Sequence, residues 1–266
     1  MGPGGGTRES RSERERRAYD EEHVWERCHA WHMKARHVFE CPNSVRVERV
    51  YDAWIAEAAR GGRALELGCG DGADCEKVLV QGAAFVRGID LSERFIAEAR
   101  RREVPGKVVF TLGDVADAVE GTWDVIFGKA ILHHVDYRRL LVRLCERHLN
   151  PGGRLVFLEP LDGNLLLRLY RSVSREAHTP DEVPLGRRDL DWLRRTFPTL
   201  RVLPRNYLSL PLGILSTHLF ADADNPLMRF ADRVDTWLAA HVPGLTPAFR
   251  QAVLRVDATP RTSRRG

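Results

Sequence analysis

Lysine is scarce in this 266-residue chain, occurring only at Lys34, Lys77, Lys107 and Lys129, so arginine supplies nearly all of the basic charge. A bias of that kind matches GC-rich coding better than a dedicated binding surface. Net charge is also small, +4, with 29% charged and 43% hydrophobic residues. That balance excludes wholesale disorder and gives no support to a nucleic-acid partner. No apolar run reaches the ~18 residues of a membrane span. The longest candidate, residues 207–220, contains Pro211, Gly213 and His218 and reads as a pocket wall or core helix. The chain shows neither a secretory signal pattern nor an internal repeat. Its cysteines (Cys28, Cys41, Cys69, Cys75, Cys145) are odd in number, so a disulfide framework is not expected and the reducing cytoplasm is.

What is present fits one large α/β unit with insertions. Residues 1–18, glycine and then alternating Arg, Glu and Ser, have no apolar surface to bury and are expected to be a disordered tail or frayed helix, as is 258–266. The single domain is expected over 19–257. Its first part, 19–60, reads as a helical lid whose aromatics Tyr19, Trp25 and Trp31 cover the site. A helix within it starts with Asn43 or Ser44 as N-cap and puts Val47, Val50, Tyr51, Trp54, Ile55 and Ala58 on one face. Cys28, His29, His32, His37 and Cys41 match no common zinc spacing and lack a second paired half, so no metal is expected.

From Arg63 the pattern changes to short apolar runs between polar helical stretches, which indicates βαβ units and a parallel sheet. Strands are expected at 64–67, 85–89, 108–112, 123–127 and 153–159, with helices at 73–80, 92–102 and 137–148. The alternation breaks after Glu159. Acceptor-side insertions and a helical cap are expected over 161–247, with a helix at 188–196, a strand at 200–206 and a last strand at 248–256.

The chemistry concentrates at the strand ends. Residues 64–72, ALELGCGDG, run from a strand into a glycine turn and a helix, which sets a nucleotide at the carboxyl end of the first strand. Asp71 and Glu66 would repel a pyrophosphate there, whereas S-adenosylmethionine has none and carries a sulfonium and an ammonium. The carboxylates therefore favour the sulfonium cofactor. Asp90, twenty residues after Gly70, stands where an acid accepts from both ribose hydroxyls. Asp114 is placed to accept from the adenine amino group, with Leu91 and Val115 sandwiching the ring. Both acids can instead be helix N-caps.

This ordered set resembles the Class I S-adenosylmethionine-dependent methyltransferases over 63–160. Glu66 to Gly72 is similar to the family's first motif, Asp90 to its ribose acid, and Gly113-Asp114-Val115 to its adenine site. Residues 123–134 resemble the fourth strand and following loop, and 150–155 the turn into the fifth strand. The resemblance implies a Rossmann-like, doubly wound, seven-stranded sheet with its last strand antiparallel, and cofactor at the strand ends. The expected cofactor contacts are Glu66, Gly68, Cys69, Gly70, Asp90, Leu91, Asp114, Val115 and Lys129. His133 and His134, after the fourth strand, can each act as base or orient an acceptor, and Glu159 closes the fifth strand as the other candidate base. Equally, these residues can pack or cap. Arg175 and His178 lie in the insertion. The leading expectation is methylation of a small molecule, a secondary metabolite, at oxygen or nitrogen. The alternatives are carbon methylation of an aromatic ring or prenyl-like alkene with Glu159 as base, and cofactor binding without catalysis.

Overall fold

The structure is a computed structural model and describes residues 11–20, 33–164, 167 and 183–258. Helix α1 (Arg11–Asp20) comes first, followed by the short α2 (Arg36–Glu40) and the long α3 (Pro42–Ala59). Then strands and helices alternate: β1 (Arg63–Leu67), α4 (Ala73–Val80), β2 (Phe85–Asp90), α5 (Glu93–Ala99), β3 (Val108–Leu112), β4 (Trp123–Lys129), α6 (Tyr137–Arg143) and β5 (Leu149–Pro160). Helix α7 (Arg187–Thr196), β6 (Arg201–Arg205), α8 (Ser209–Leu219), α9 (Pro226–His241) and β7 (Gln251–Asp257) complete the order.

The seven strands form one sheet in the order β3-β2-β1-β4-β5-β7-β6. Neighbours from β3 through β5 pair in parallel, and β7 enters antiparallel between β5 and β6. The expected fold class is thus observed. The central strands are short apolar runs because helices cover both faces of the sheet. Alternate residues of β1 and β4 serve opposite layers. Leu65, Leu67 and Ile126 face α6 and α7, while Ala64, Val125 and Phe127 face α3 and α4. This alternation also sends Glu66 to the α3 side, a consequence of the two-residue period of a strand.

Three sequence expectations need correction. The tail expected over 1–18 is not wholly unpacked, because Arg11–Asp20 is a helix with Glu15 buried. Its register is fixed by polar contacts with the sheet ends rather than by an apolar face. Helix α3 belongs to the core rather than to a lid: Val47, Tyr51, Ile55 and Ala59 recur at helical spacing and are buried against the sheet. Nor is it capped by Asn43 or Ser44. Cys41 occupies the N-cap position, Pro42 opens the first turn, as suits a residue with no N–H to leave unpaired, and Ser44 Oγ donates to the Val38 carbonyl at 2.6 Å. Trp25, Trp31, Cys28, His29, His32, Arg175 and His178 lie outside the described residues. His37 and Cys41 sit instead in a buried polar cluster, with His37 Nδ1 3.0 Å from Ser216 Oγ. Among the described residues no group of three or more His, Cys, Asp or Glu side chains is placed to hold a metal, and no helix is long and apolar enough to cross a membrane.

Candidate functional site

The carboxyl ends of β1, β2, β3 and β4 open into a cavity of about 260 Å³. Gly68, Gly70, Asp90, Leu91, Asp114, Val115 and Lys129, all among the cofactor contacts expected from the sequence, line it. The turn after β1 needs its glycines. Gly70 has φ +52, and at Gly72, with φ +80, an added Cβ would lie 2.5 Å from Phe110 Cζ. The chain there takes left-handed backbone that a side chain penalises, and helix α4 follows directly with its N-terminus at the turn.

Asp90 organises this turn as well as facing it. Its Oδ2 accepts from Gly70 N and its Oδ1 from Ser92 N, both at 2.9 Å. The capping of α5 falls to Ser92, which accepts from Phe95 N. Asp114 accepts from Ala116 N at 2.8 Å and from the hydroxyl of Ser12 on α1. Each acid therefore holds local backbone, and both line the cavity.

Glu66 and Cys69 lie behind this wall, both buried. Burial, reinforced by Asp74, raises the Glu66 pKa well above the ordinary carboxylate value, and Cys75 Sγ donates to its Oε2 at 3.0 Å. Burial pushes the Cys69 and Cys75 thiols up, so neither is a thiolate nucleophile. Asp71 turns outward, where Arg102 Nη2 binds it at 3.1 Å. Lys129 Nζ reaches Asp74 at 2.7 Å; burial opposes its charge, but that carboxylate holds its pKa above the usual 10.5.

The candidate bases separate. Glu159 is fully buried and its Oε1 accepts from Ile131 N and Leu132 N, each at 2.9 Å, while Oε2 lies 2.9 Å from His133 Nδ1. This carboxylate ties down the 3-10 turn Leu132–His134 and is not part of the cavity wall. His133 is 6% exposed and turns toward Glu159, whereas its neighbour His134 faces the cavity. Their rings stand 4.0 Å apart. Of the three candidate bases, His134 lines the cavity, whereas His133 and Glu159 pair with each other behind it. A single turn of backbone aims successive side chains in different directions.

Sequence reasoning missed α1. Ser12 and Glu15 line the cavity, Glu15 Oε2 lies 3.1 Å from His134 Nδ1, and Arg11 donates to the His133 carbonyl at 3.1 Å. Ser12 and Glu15 are one turn apart on the helix, the spacing that puts two side chains on one face; that spacing was the available signal. Phe95, Ala130, Ile131 and Val135 complete the wall.

These residues fit an adenosine carrying an amino-acid tail. Glycine lets the backbone approach, the acids Asp90 and Asp114 offer acceptors in the cavity wall, apolar Leu91, Val115 and Ile131 line it with them, and the buried acid Glu66 lies at the β1 end.

Comparison with known proteins agrees. Residues 65–157 match the family described as "Methyltransferase domain". The ubiquinone biosynthesis O-methyltransferase of Neisseria meningitidis serogroup C is 32% identical over 136 residues, covering 49% of this chain and 56% of that protein. The 27-O-demethylrifamycin SV methyltransferase of Amycolatopsis mediterranei is 35% identical over 104 residues, covering 36% of this chain and 37% of that protein. The chain therefore spans about half the length, or less, of these curated relatives. In fold it is similar to the magnesium protoporphyrin IX methyltransferase of Synechocystis PCC 6803, solved with S-adenosylhomocysteine, at TM-score 0.56 and 13% identity, covering 94% of this chain and 100% of that one. The methyltransferase-domain match thus covers residues 65–157, the part of the chain that carries the glycine turn and the acids of the cavity wall.

Proposed function

We propose that this protein transfers a methyl group from S-adenosylmethionine to a hydroxyl of a small organic acceptor. The observation that carries this reading is the cavity itself, in which the ribose and adenine acceptors Asp90 and Asp114 share a wall with the imidazole of His134. The curated relatives named above are O-methyltransferases, which favours oxygen over nitrogen or carbon. Carbon methylation with Glu159 as base draws no support, since three hydrogen-bond donors surround that buried carboxylate.

S-Adenosylmethionine, when bound, supplies an electrophilic methyl on a sulfonium. The chain's own residues do the rest. Asp90 holds the ribose hydroxyls, Asp114 the adenine amino group, and Leu91 and Val115 flank the ring. His134 takes the acceptor's hydroxyl proton, and Glu15 beside its Nδ1 steadies the imidazole as it gains charge. Glu159 and His133 hold the turn that aims His134. Much of the acceleration comes from holding acceptor and donor in line.

The test incubates the protein and its His134→Ala variant with methyl-labelled S-adenosylmethionine and a small-molecule extract of the producing cell, and locates the label by mass spectrometry. Labelled methoxy product, formed ~10²–10⁴-fold more slowly by the variant while S-adenosylhomocysteine affinity stays near that of the parent, is the expected result. Label on carbon, or undiminished turnover in the variant, refutes the assignment.

A further inference from the structure

Among the described residues only Ala130 and Asn206 take left-handed backbone without being glycine, at φ +54 and φ +62. Such backbone crowds a Cβ against the following carbonyl, so glycine adopts it freely and other residues do so under strain. At Asn206 the side chain is fully buried and offsets the strain, donating to Ser209 Oγ at 3.0 Å and accepting from Arg250 Nη1 at 3.2 Å. Ala130 has no polar group with which to do the same. It is also exposed, so packing within the protein does not offset the strain either.

The surroundings impose this conformation. Ala130 N donates to the Leu158 carbonyl at 2.8 Å, and the next two amides, Ile131 N and Leu132 N, converge on Glu159 Oε1. Strain that neighbouring structure enforces in this way gathers at functional sites. Glycine would make the same backbone bonds unstrained, so a role for the backbone alone does not explain the methyl group. Ala130 lines the cavity together with Ile131 and Val135, on the loop that carries His134, which lines it too. Beside the imidazole, these side chains offer a surface for carbon.

Resting on the reading that His134 takes a hydroxyl proton, we propose that the Ala130 methyl group touches the acceptor and sets its approach to the methyl donor. Ala130 is then a specificity-determining residue of the transfer, and the acceptor it fits carries its hydroxyl on an apolar carbon framework.

The experiment compares the full chain with Ala130→Gly and Ala130→Asn. Glycine removes the methyl group and the strain together, whereas asparagine adds bulk and still tolerates left-handed backbone. Each protein is measured for melting temperature, for S-adenosylhomocysteine affinity by calorimetry, and for label transfer from saturating methyl-labelled S-adenosylmethionine to a small-molecule extract of the producing cell. Ala130→Gly should melt at or above the parent's temperature and bind S-adenosylhomocysteine within about threefold of the parent. It should nevertheless form labelled product ~10- to 100-fold more slowly, the scale of loss when a reacting pair is misaligned. Ala130→Asn should bind S-adenosylhomocysteine within the same range and slow the same product at least as much. A purely structural methyl group predicts another pattern, in which Ala130→Gly loses melting temperature and S-adenosylhomocysteine affinity along with turnover. That pattern, or parent-like turnover in either variant, overturns the proposal. If asparagine prevents folding, the glycine variant decides alone. Label on carbon or nitrogen, slowed in Ala130→Gly as above, upholds the contact and overturns only the hydroxyl reading. No labelled product from the parent overturns both.

Discussion

Replacing Glu159 by alanine should damage the fold and the cavity together, and the structure sets the size of the effect. The fully buried carboxylate accepts from Ile131 N and Leu132 N and partners His133 Nδ1, all at 2.9 Å. Removing it strands two backbone donors and one ring donor where water enters poorly. Each unsatisfied buried group costs about 1–3 kcal/mol. Allowing for a water molecule in the space left behind, the total is ~3–6 kcal/mol. For a chain of this length each kcal/mol moves the melting temperature by about 2–4 °C. Glu159→Ala should therefore melt roughly 10–20 °C below the parent. Glu159→Gln keeps one oxygen for Ile131 and Leu132 but presents an amide N–H to His133, which must then exchange tautomer, and should cost about 1–2 kcal/mol. The order in melting temperature is parent, then glutamine, then alanine. Because Ala130, Ile131 and His134 belong to the cavity wall, S-adenosylhomocysteine affinity should fall in the same order. Scanning calorimetry and a binding titration on the two variants check both. A general base would behave differently, losing turnover with melting temperature and affinity intact. If Glu159→Ala melts within about 2 °C of the parent, less than the shift expected for one kcal/mol, the capping role assigned to this carboxylate is wrong.

Two further outcomes follow from the hydrogen bonds and ion pairs. Asp90→Ala should weaken S-adenosylhomocysteine by about 1.5–3 kcal/mol and also lower the melting temperature, because this carboxylate holds Gly70 N and Ser92 N as well as facing the cavity; parent-like affinity in a titration sinks the ribose assignment. At Asp257 burial favours the neutral acid, but hydrogen bonds from Arg255 and Arg154 outweigh it and hold the pKa below 3.8. A carboxylate depressed in the folded state stabilises the protein above its unfolded-state pKa, and that stability is lost as pH falls through the folded value. Asp257→Asn should accordingly be less stable than the parent in urea at neutral pH, with the gap closing below pH ~3.8 as the parent's carboxylate is protonated; a gap independent of pH contradicts this.

The half of the chain that carries the cofactor site was legible because its signals are local. A strand buried on both faces must be an apolar run, a glycine turn must carry glycine, and the acids Asp90 and Asp114 follow strands whose ends point the same way in any parallel sheet. Strands β1 to β5, helix α4 and most of the cavity wall followed from those facts. Side-chain direction within a turn was not legible in the same way. His133 and His134 are adjacent in sequence, yet one turns to a carboxylate 26 residues away and the other to the cavity, because three donors of the turn converge on Glu159.

Helix α1 lay further still from what sequence can determine. Its residues have no apolar stripe to announce a buried face, and its position is set by Ser12 on Asp114, Glu15 beside His134 and Arg11 on the His133 carbonyl, partners more than a hundred residues away. The sequence by itself determined the sheet, the glycine turn and the acids at its rim, since period and spacing suffice for those. Only the tertiary structure decided which histidine faces the cavity and which N-terminal helix lines it, since those depend on polar contacts between segments that share no local pattern.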